Sequence, residues 1–425
     1  MKDASGYEVT GAEGRAIDLL ETAIDRYRCF GADALACADA AIAQAPEMPL
    51  GHALRAWMIL SSSEGQALPL ARAALNAAVA LPHNDREAMH LQAIAHWCAG
   101  QWQAAARVLE DLSVQWPLDS LALKAGHTLD YYLGSTRMLH DRIARAMPAW
   151  APGIPGWHAV LAMMAFGLEE NGVYREAEKL GRQAIELRPD DAWAQHAVVH
   201  VLEMQGRHDE GVAWMMGHEG WKENSRLAVH NWWHLALHHL ALGDGLAALA
   251  LYDSRIRNPE SRIQFELIDA SALLWRLELQ GIDVGERWIA LAQAWAPFAT
   301  VGWSAFNDWH AAMAYACAGR TDLLMELAQT QAQAMSRGDD ISRLLLEVGH
   351  VATQGFIAYA QGDYTHAVKL LRTARPVSAR FGGSHAQRDI IDLTLIEAAH
   401  RSGQAALASA LRAERDAART TRSRT

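Results

Sequence analysis

The sequence predicts an all-α protein, a continuous stack of about eleven helical hairpins, and three observations predict it. Alanine is abundant beside Leu, Glu, Gln and Arg, the strong helix formers, in a chain that is 51% apolar and 20% charged. Glycines close one amphipathic run after another at Gly31, Gly65, Gly100, Gly134, Gly172, Gly206, Gly243, Gly281, Gly319, Gly362 and Gly403, between 34 and 43 residues apart. Prolines follow several of the second helices, at Pro46, Pro82, Pro117, Pro189 and Pro376, where a missing N–H ends a helix.

In chain order, the hairpins at Gly31 and Gly65 rest on the glycine series. The clearest copies then read AIAHWCAGQWQAAARVLEDL around Gly100 and MAFGLEENGVYREAEKLGRQAIELRP around Gly172. LALHHLALGDGLAALALYD around Gly243 and GFIAYAQGDYTHAVKLLRTARP around Gly362 complete the set. Each has a first helix of small and aromatic residues, a glycine for the left-handed turn, and a second helix opening near an alanine pair. A 34-residue period is that of tetratricopeptide repeats; the later spacings of 38 to 43 call for longer helices or extra loop residues. No long polar or Pro/Gly-rich linker interrupts the chain, so residues 1–425 read as one tetratricopeptide-like α-solenoid curling around a concave cavity. The segment 414–425, ending in the basic ARTTRSRT, is expected to fray.

A net charge of −11 argues against a nucleic-acid partner, since phosphate contacts need a basic surface. The four cysteines show no CxxC spacing and read as reduced thiols of a cytoplasmic protein. The N-terminus lacks the apolar run of a signal peptide, and no stretch reaches about 18 apolar residues, so neither export nor a membrane partner is expected. Nothing in the chain signals a nucleotide cofactor, and self-association stays open.

The 20 histidines carry the chemistry. His196, His200 and Glu203 lie ten, six and three residues before Gly206. His230 and His234 precede Gly243, His127 and Asp130 precede Gly134, and Asp308 and His310 precede Gly319. All fall on first helices, which line the concave face in such arrays. The pairs His196/His200 and His230/His234 are four apart, each on one helical face, so neighbouring helices can chelate a divalent zinc, iron or manganese. Glu203 or Asp308 would add a ligand or act as general base, and His127 with Asp130 would form an oriented acid–base dyad. Trp232, Trp233 and Trp309, with Asn231 and Asn307, would wall and orient a small polar ligand. Each feature also has a plain reading: an HxxxH pair is more often structural, and repeat tryptophans more often pack. His90 and His158 are taken as surface or packing residues.

These same residues carry a resemblance. DAWAQHAVVHVLEMQGRHDEGVAWM, followed by HNWWHLALHHLALGDGLAALALYD, resembles the tetratricopeptide repeat protein 38 family. The likeness extends upstream to GHTLDYYLGSTRMLHDRIARAMPAW and downstream to FNDWHAAMAY and GGSHAQRDI, covering about residues 85 to 400. It implies a tetratricopeptide-like fold and supplies no reaction. Arg388 and Asp389 belong to its motifs, and Arg388 would clamp a carboxylate or phosphate if it faced the cavity. His385 departs from the family pattern, which more often has Asn there.

Two functions follow. The first is a metal-dependent hydrolase, or another acid–base enzyme, acting on a small polar substrate. The second is a scaffold that holds a peptide or protein partner in its groove. The scarcity of Lys and Arg on the central first helices favours the small ligand.

Overall fold

A computed structural model describes residues 1–422, with side chains through residue 417. It is all-helical: among the described residues there is no strand, only the isolated bridges Lys2–Glu8 and Gly31–Ser225. Helices come in successive pairs. They are Arg15–Arg28 with Ala34–Gln44, Pro49–Leu60 with Leu68–Val79, Asp85–Cys98 with Trp102–Gln115, and Ser120–Tyr132 with Thr136–Ala146. Next come Trp157–Glu170 with Tyr174–Leu187, Ala192–Met204 with His208–Gly217, and Ala228–Ala241 with Gly245–Leu251. The last four first helices are Gln264–Leu279, Ala305–Cys317, the run from Asp340 to Ala360, and His385–Arg401. Their partners are Arg287–Trp295, Thr321–Met335, Tyr364–Ala374 and Ala405–Arg422. The segment expected to fray from residue 414 is helical as far as Arg422; residues 423–425 lie outside the described part.

The turn chemistry is as expected from Gly100 onward: all nine later hairpin glycines have φ between 62° and 81°, which only glycine adopts freely. The first two turns correct the sequence reading. There the left-handed residues are Phe30 (φ 59°) and Ser63 (φ 56°), not Gly31 and Gly65. Phe30 is held by tertiary hydrogen bonds: its carbonyl accepts from the Arg226 amide at 2.8 Å, and Ala32 donates to the Asn224 carbonyl at 2.8 Å. Two of the long late repeats each carry a π-helical turn, which adds a residue to the helix. One π-helical turn, Tyr252–Ile256, extends the helix after Gly245, and another, Leu345–Gly349, interrupts the run from Asp340 to Ala360.

Contacts divide the chain into two compact units, Met1–Val198 with His218–Ala228 and Val199–Gly217 with Val229–Thr425. Tryptophans dominate both cores. In the first, Trp57 and Trp97 meet at 5.8 Å and Trp97 and Trp102 at 6.2 Å. In the second, Trp309 packs on Phe356 at 4.7 Å and on Phe381 at 5.2 Å. Offset aromatic contacts of this kind bury large areas and add about 0.5–1.5 kcal/mol each. No described helix is long and apolar enough to cross a membrane.

Candidate metal centre

Residues of the second unit, on three helices, build the centre. Ala192–Met204 supplies His200 and, three residues on, Glu203; Ala228–Ala241 supplies His230 and His234 on one face; Gln264–Leu279 supplies Asp269. All five side chains are buried. Ring nitrogens of His200, His230 and His234 lie within 4.8 Å of one another.

The hydrogen bonds around them are specific. His234 Nδ1 donates to Glu203 Oε2 at 2.9 Å, and His230 Nδ1 donates to the Asp269 carboxylate at 2.9 and 3.1 Å. The two Nε2 atoms then face each other across 3.2 Å. Where both carboxylates are ionised they only accept; each Nδ1 then carries its ring's proton and each Nε2 offers a lone pair. Two lone pairs so placed repel unless something sits between them. Imidazole nitrogens on a tetrahedral zinc, at bond lengths of about 2.0–2.1 Å, are about 3.3–3.4 Å apart, close to the observed separation. A carboxylate behind the outer nitrogen of each imidazole is the usual second layer of a metal site.

Protonation is the competing relief. Burial holds the His234 imidazole well below its ordinary value, and the neighbouring His200, His230 and His238 rings push the same way. Burial also raises the Asp269 carboxyl, against the opposing pull of His230. An imidazolium at His234 is thus disfavoured, whereas a protonated Asp269 is not.

Each of the other residues singled out in the sequence has contacts of its own. Glu203 is engaged by His234, which makes it an orienting carboxylate. His196, one turn before His200, belongs to the first unit, where it stacks on Trp193 at 4.6 Å and packs near Phe166 at 5.4 Å. Asp308 is outside the cluster: its Oδ2 accepts from Gln331 Nε2 at 3.1 Å. His310 donates from Nδ1 to the Phe306 carbonyl at 2.8 Å. The His127–Asp130 dyad is overturned. Asp130 is taken by Arg142 in a two-pronged ion pair at 2.7 and 3.0 Å, while His127 sits edge-on to Phe166 and Trp193.

The expected ligand walls are packed interior. Trp233 stacks on His230, with ring centroids 5.3 Å apart, and Arg255 covers Trp232 at 5.2 Å. Asn307 Nδ2 donates to Gln264 Oε1 at 2.7 Å, and Asn231 is fully buried. Arg388 lines a separate cavity of about 300 Å³ with His385 and Asp389, and its guanidinium donates to the Gly383 carbonyl. The cavity's other guanidiniums are claimed by acids, Arg415 by Asp389 at 2.6 Å and Arg375 by Asp392 at 2.6 Å.

Sequence reasoning missed Asp269, which lies in the apolar run LIDASALLW and shows no histidine-like pattern. It also underrated His90 and His158. His90 Nε2 bonds Asp119 at 3.1 Å and His158 Nδ1 bonds Asp191 at 2.7 Å, so each braces a carboxylate that receives amides opening a later helix. Asp25, Cys29 and His158 also bring possible ligand atoms within 4.8 Å of one another. Arg28 at 3.1 Å and Arg188 at 3.0 Å already neutralise Asp25, which makes that group an ion-pair network.

Fold and cluster together define a class: an all-helical protein of successive hairpins with buried histidine–carboxylate groups able to hold a metal ion. A scan against models of known protein families finds none that matches this chain.

Proposed function

We propose that the chain is a metalloprotein of the tetratricopeptide repeat protein 38 kind, with a divalent ion held by His200, His230 and His234. The hairpin series and its glycine turns support the tetratricopeptide-like reading of the fold. The observation that carries the metal reading is the pair of Nε2 atoms 3.2 Å apart, each on a ring pinned from behind by a carboxylate. Three protein nitrogens leave a coordination position open, and a zinc, iron or manganese ion there would supply Lewis acidity to a water or carbonyl. The reaction class is hydrolysis of a small polar substrate. Glu203 and Asp269 orient the imidazoles and keep them basic. A peptide-gripping groove draws no support from His230, Asn231, His234, Trp233 or Trp309, because all of them are buried.

Metal analysis of the full chain, as purified and after reconstitution with zinc, manganese or ferrous iron, tests the centre. One ion per chain is expected, lost in the His200→Ala/His234→Ala variant. Asp269→Asn and Glu203→Gln are each expected to weaken binding about 10–100-fold while leaving the ligands in place. No stoichiometric ion in any preparation would overturn the metal. A second reading then takes over, favoured by the raised Asp269 carboxyl: a proton chain from Asp269 through His230 and His234 to Glu203. It serves acid–base chemistry without an ion.

A further inference from the structure

Lys124, on the helix Ser120–Tyr132, is one of only five lysines in the chain and is 2% exposed. Its ammonium nitrogen lies 3.7 Å from the Phe30 ring centroid, 4.9 Å from Trp193 and 6.0 Å from Tyr27. Among the described residues its ammonium has no hydrogen-bond or ion-pair partner, although a buried amine ordinarily has one. The acidic groups that act on it are Asp191, which is engaged by His158, and the Cys29 thiol.

The wall of this box is held under strain. Phe30, the nearest of the three rings to the amine, is a bulky side chain at φ 59°, held there in part by the Gly31–Ser225 bridge and by the Arg226 amide on its carbonyl. Trp193 stacks on it at 5.3 Å. One turn along from Lys124, His127 is buried beside the same Trp193, and among the described residues neither ring nitrogen has a hydrogen-bond partner of normal geometry. The first unit thus holds an unpaired amine, an unpaired imidazole and an aromatic box kept in a costly conformation.

We infer that Lys124 is a nucleophilic amine that forms an imine with a small aromatic aldehyde or ketone bound against Phe30 and Trp193. The nitrogen lone pair attacks the carbonyl carbon, a C–N bond forms, and the carbonyl π pair moves to oxygen. The two hydrogens of the neutral amine leave with that oxygen as water, through His127 as proton carrier. No oxidant or co-reactant is needed. Burial, against weaker opposition from Asp191 and Cys29, lowers the Lys124 amine to about 7, which leaves much of it neutral near physiological pH. An ordinary lysine at pH 7.5 is neutral in only about one molecule in a thousand.

The test uses the full chain with benzaldehyde and cyanoborohydride at pH 7.5, followed by peptide mass mapping. One benzyl group is expected at Lys124, formed at least tenfold faster than at Lys179, which is 70% exposed. Lys124→Arg should keep the cation in its box and the thermal stability, yet lose the fast adduct. His127→Gln should slow labelling without changing its position. Labelling of wild-type Lys124 no faster than of Lys179, or none at all, overturns the proposal and leaves a structural cation in an aromatic cage.

Discussion

Replacing Arg142 by Met is expected to lower the free energy of unfolding by about 3–5 kcal/mol, the cost of stripping a buried carboxylate of its ion-pair partner. The Asp130 carboxyl is already raised by burial in spite of Arg142, so it gains little from water. The approach also depends on Gly126: a Cβ there would meet the Arg142 guanidinium carbon at 2.6 Å. The GHTLD run therefore reads as a slot for an arginine. Urea unfolding of Arg142→Met, Asp130→Leu and the double variant checks this as a thermodynamic cycle. The double variant should recover most of the loss, because two apolar side chains need no partner. Equal losses in all three would show that bulk, not charge, holds the site.

Asp308→Asn is expected to stabilise the protein increasingly as pH rises. Burial pushes the Asp308 carboxyl up to about 7, and Gln331 offsets this only in part. A folded-state value above the unfolded one, near 4, means that the folded chain holds an extra proton between those limits. Stability is then full below about pH 4, falls through the interval and levels off above about 7, a total of about 4 kcal/mol by linkage. Asparagine keeps an oxygen toward Gln331 and carries no charge to bury. The difference between variant and wild type, from urea titrations at pH 4 and pH 8, should grow by an amount of that order. A difference independent of pH would show that Asp308 stays ionised with a partner, as a catalytic base would.

Much of the fold was legible because it is local. Helix propensity, glycine turns and proline stops act over a few residues, and the helix pairs sit where those signals place them. Of the two failures, at Gly31 and Gly65, the first is a place where tertiary hydrogen bonds on Phe30 and Ala32 take part in the turn. The site was legible only by halves. Spacing of four put His230 and His234 on one face, but it cannot show which carboxylate stands behind each ring. Asp269 arrives 39 residues after His230, inside an apolar stretch, where nothing but packing can announce it. The reverse error befell Asp130, whose nearest histidine in sequence, His127, lost to an arginine on the next helix. The tryptophans misled by composition alone: a ring that can wall a ligand can equally fill a core.

The clip on Phe30 also sets an order of events during synthesis. Its donor, the Arg226 amide, is made nearly two hundred residues after the ring it restrains, and the first unit takes in His218–Ala228 only after the helix ending at Gly217 has been laid down. A ribosome that has finished residue 198 has therefore delivered every helix of that unit but not its fastener. Until residue 228 emerges, Phe30 holds its left-handed turn by local bonds alone, such as the Gly31 amide on the Arg26 carbonyl, and the box around Lys124 lacks its distant latch on the nascent chain.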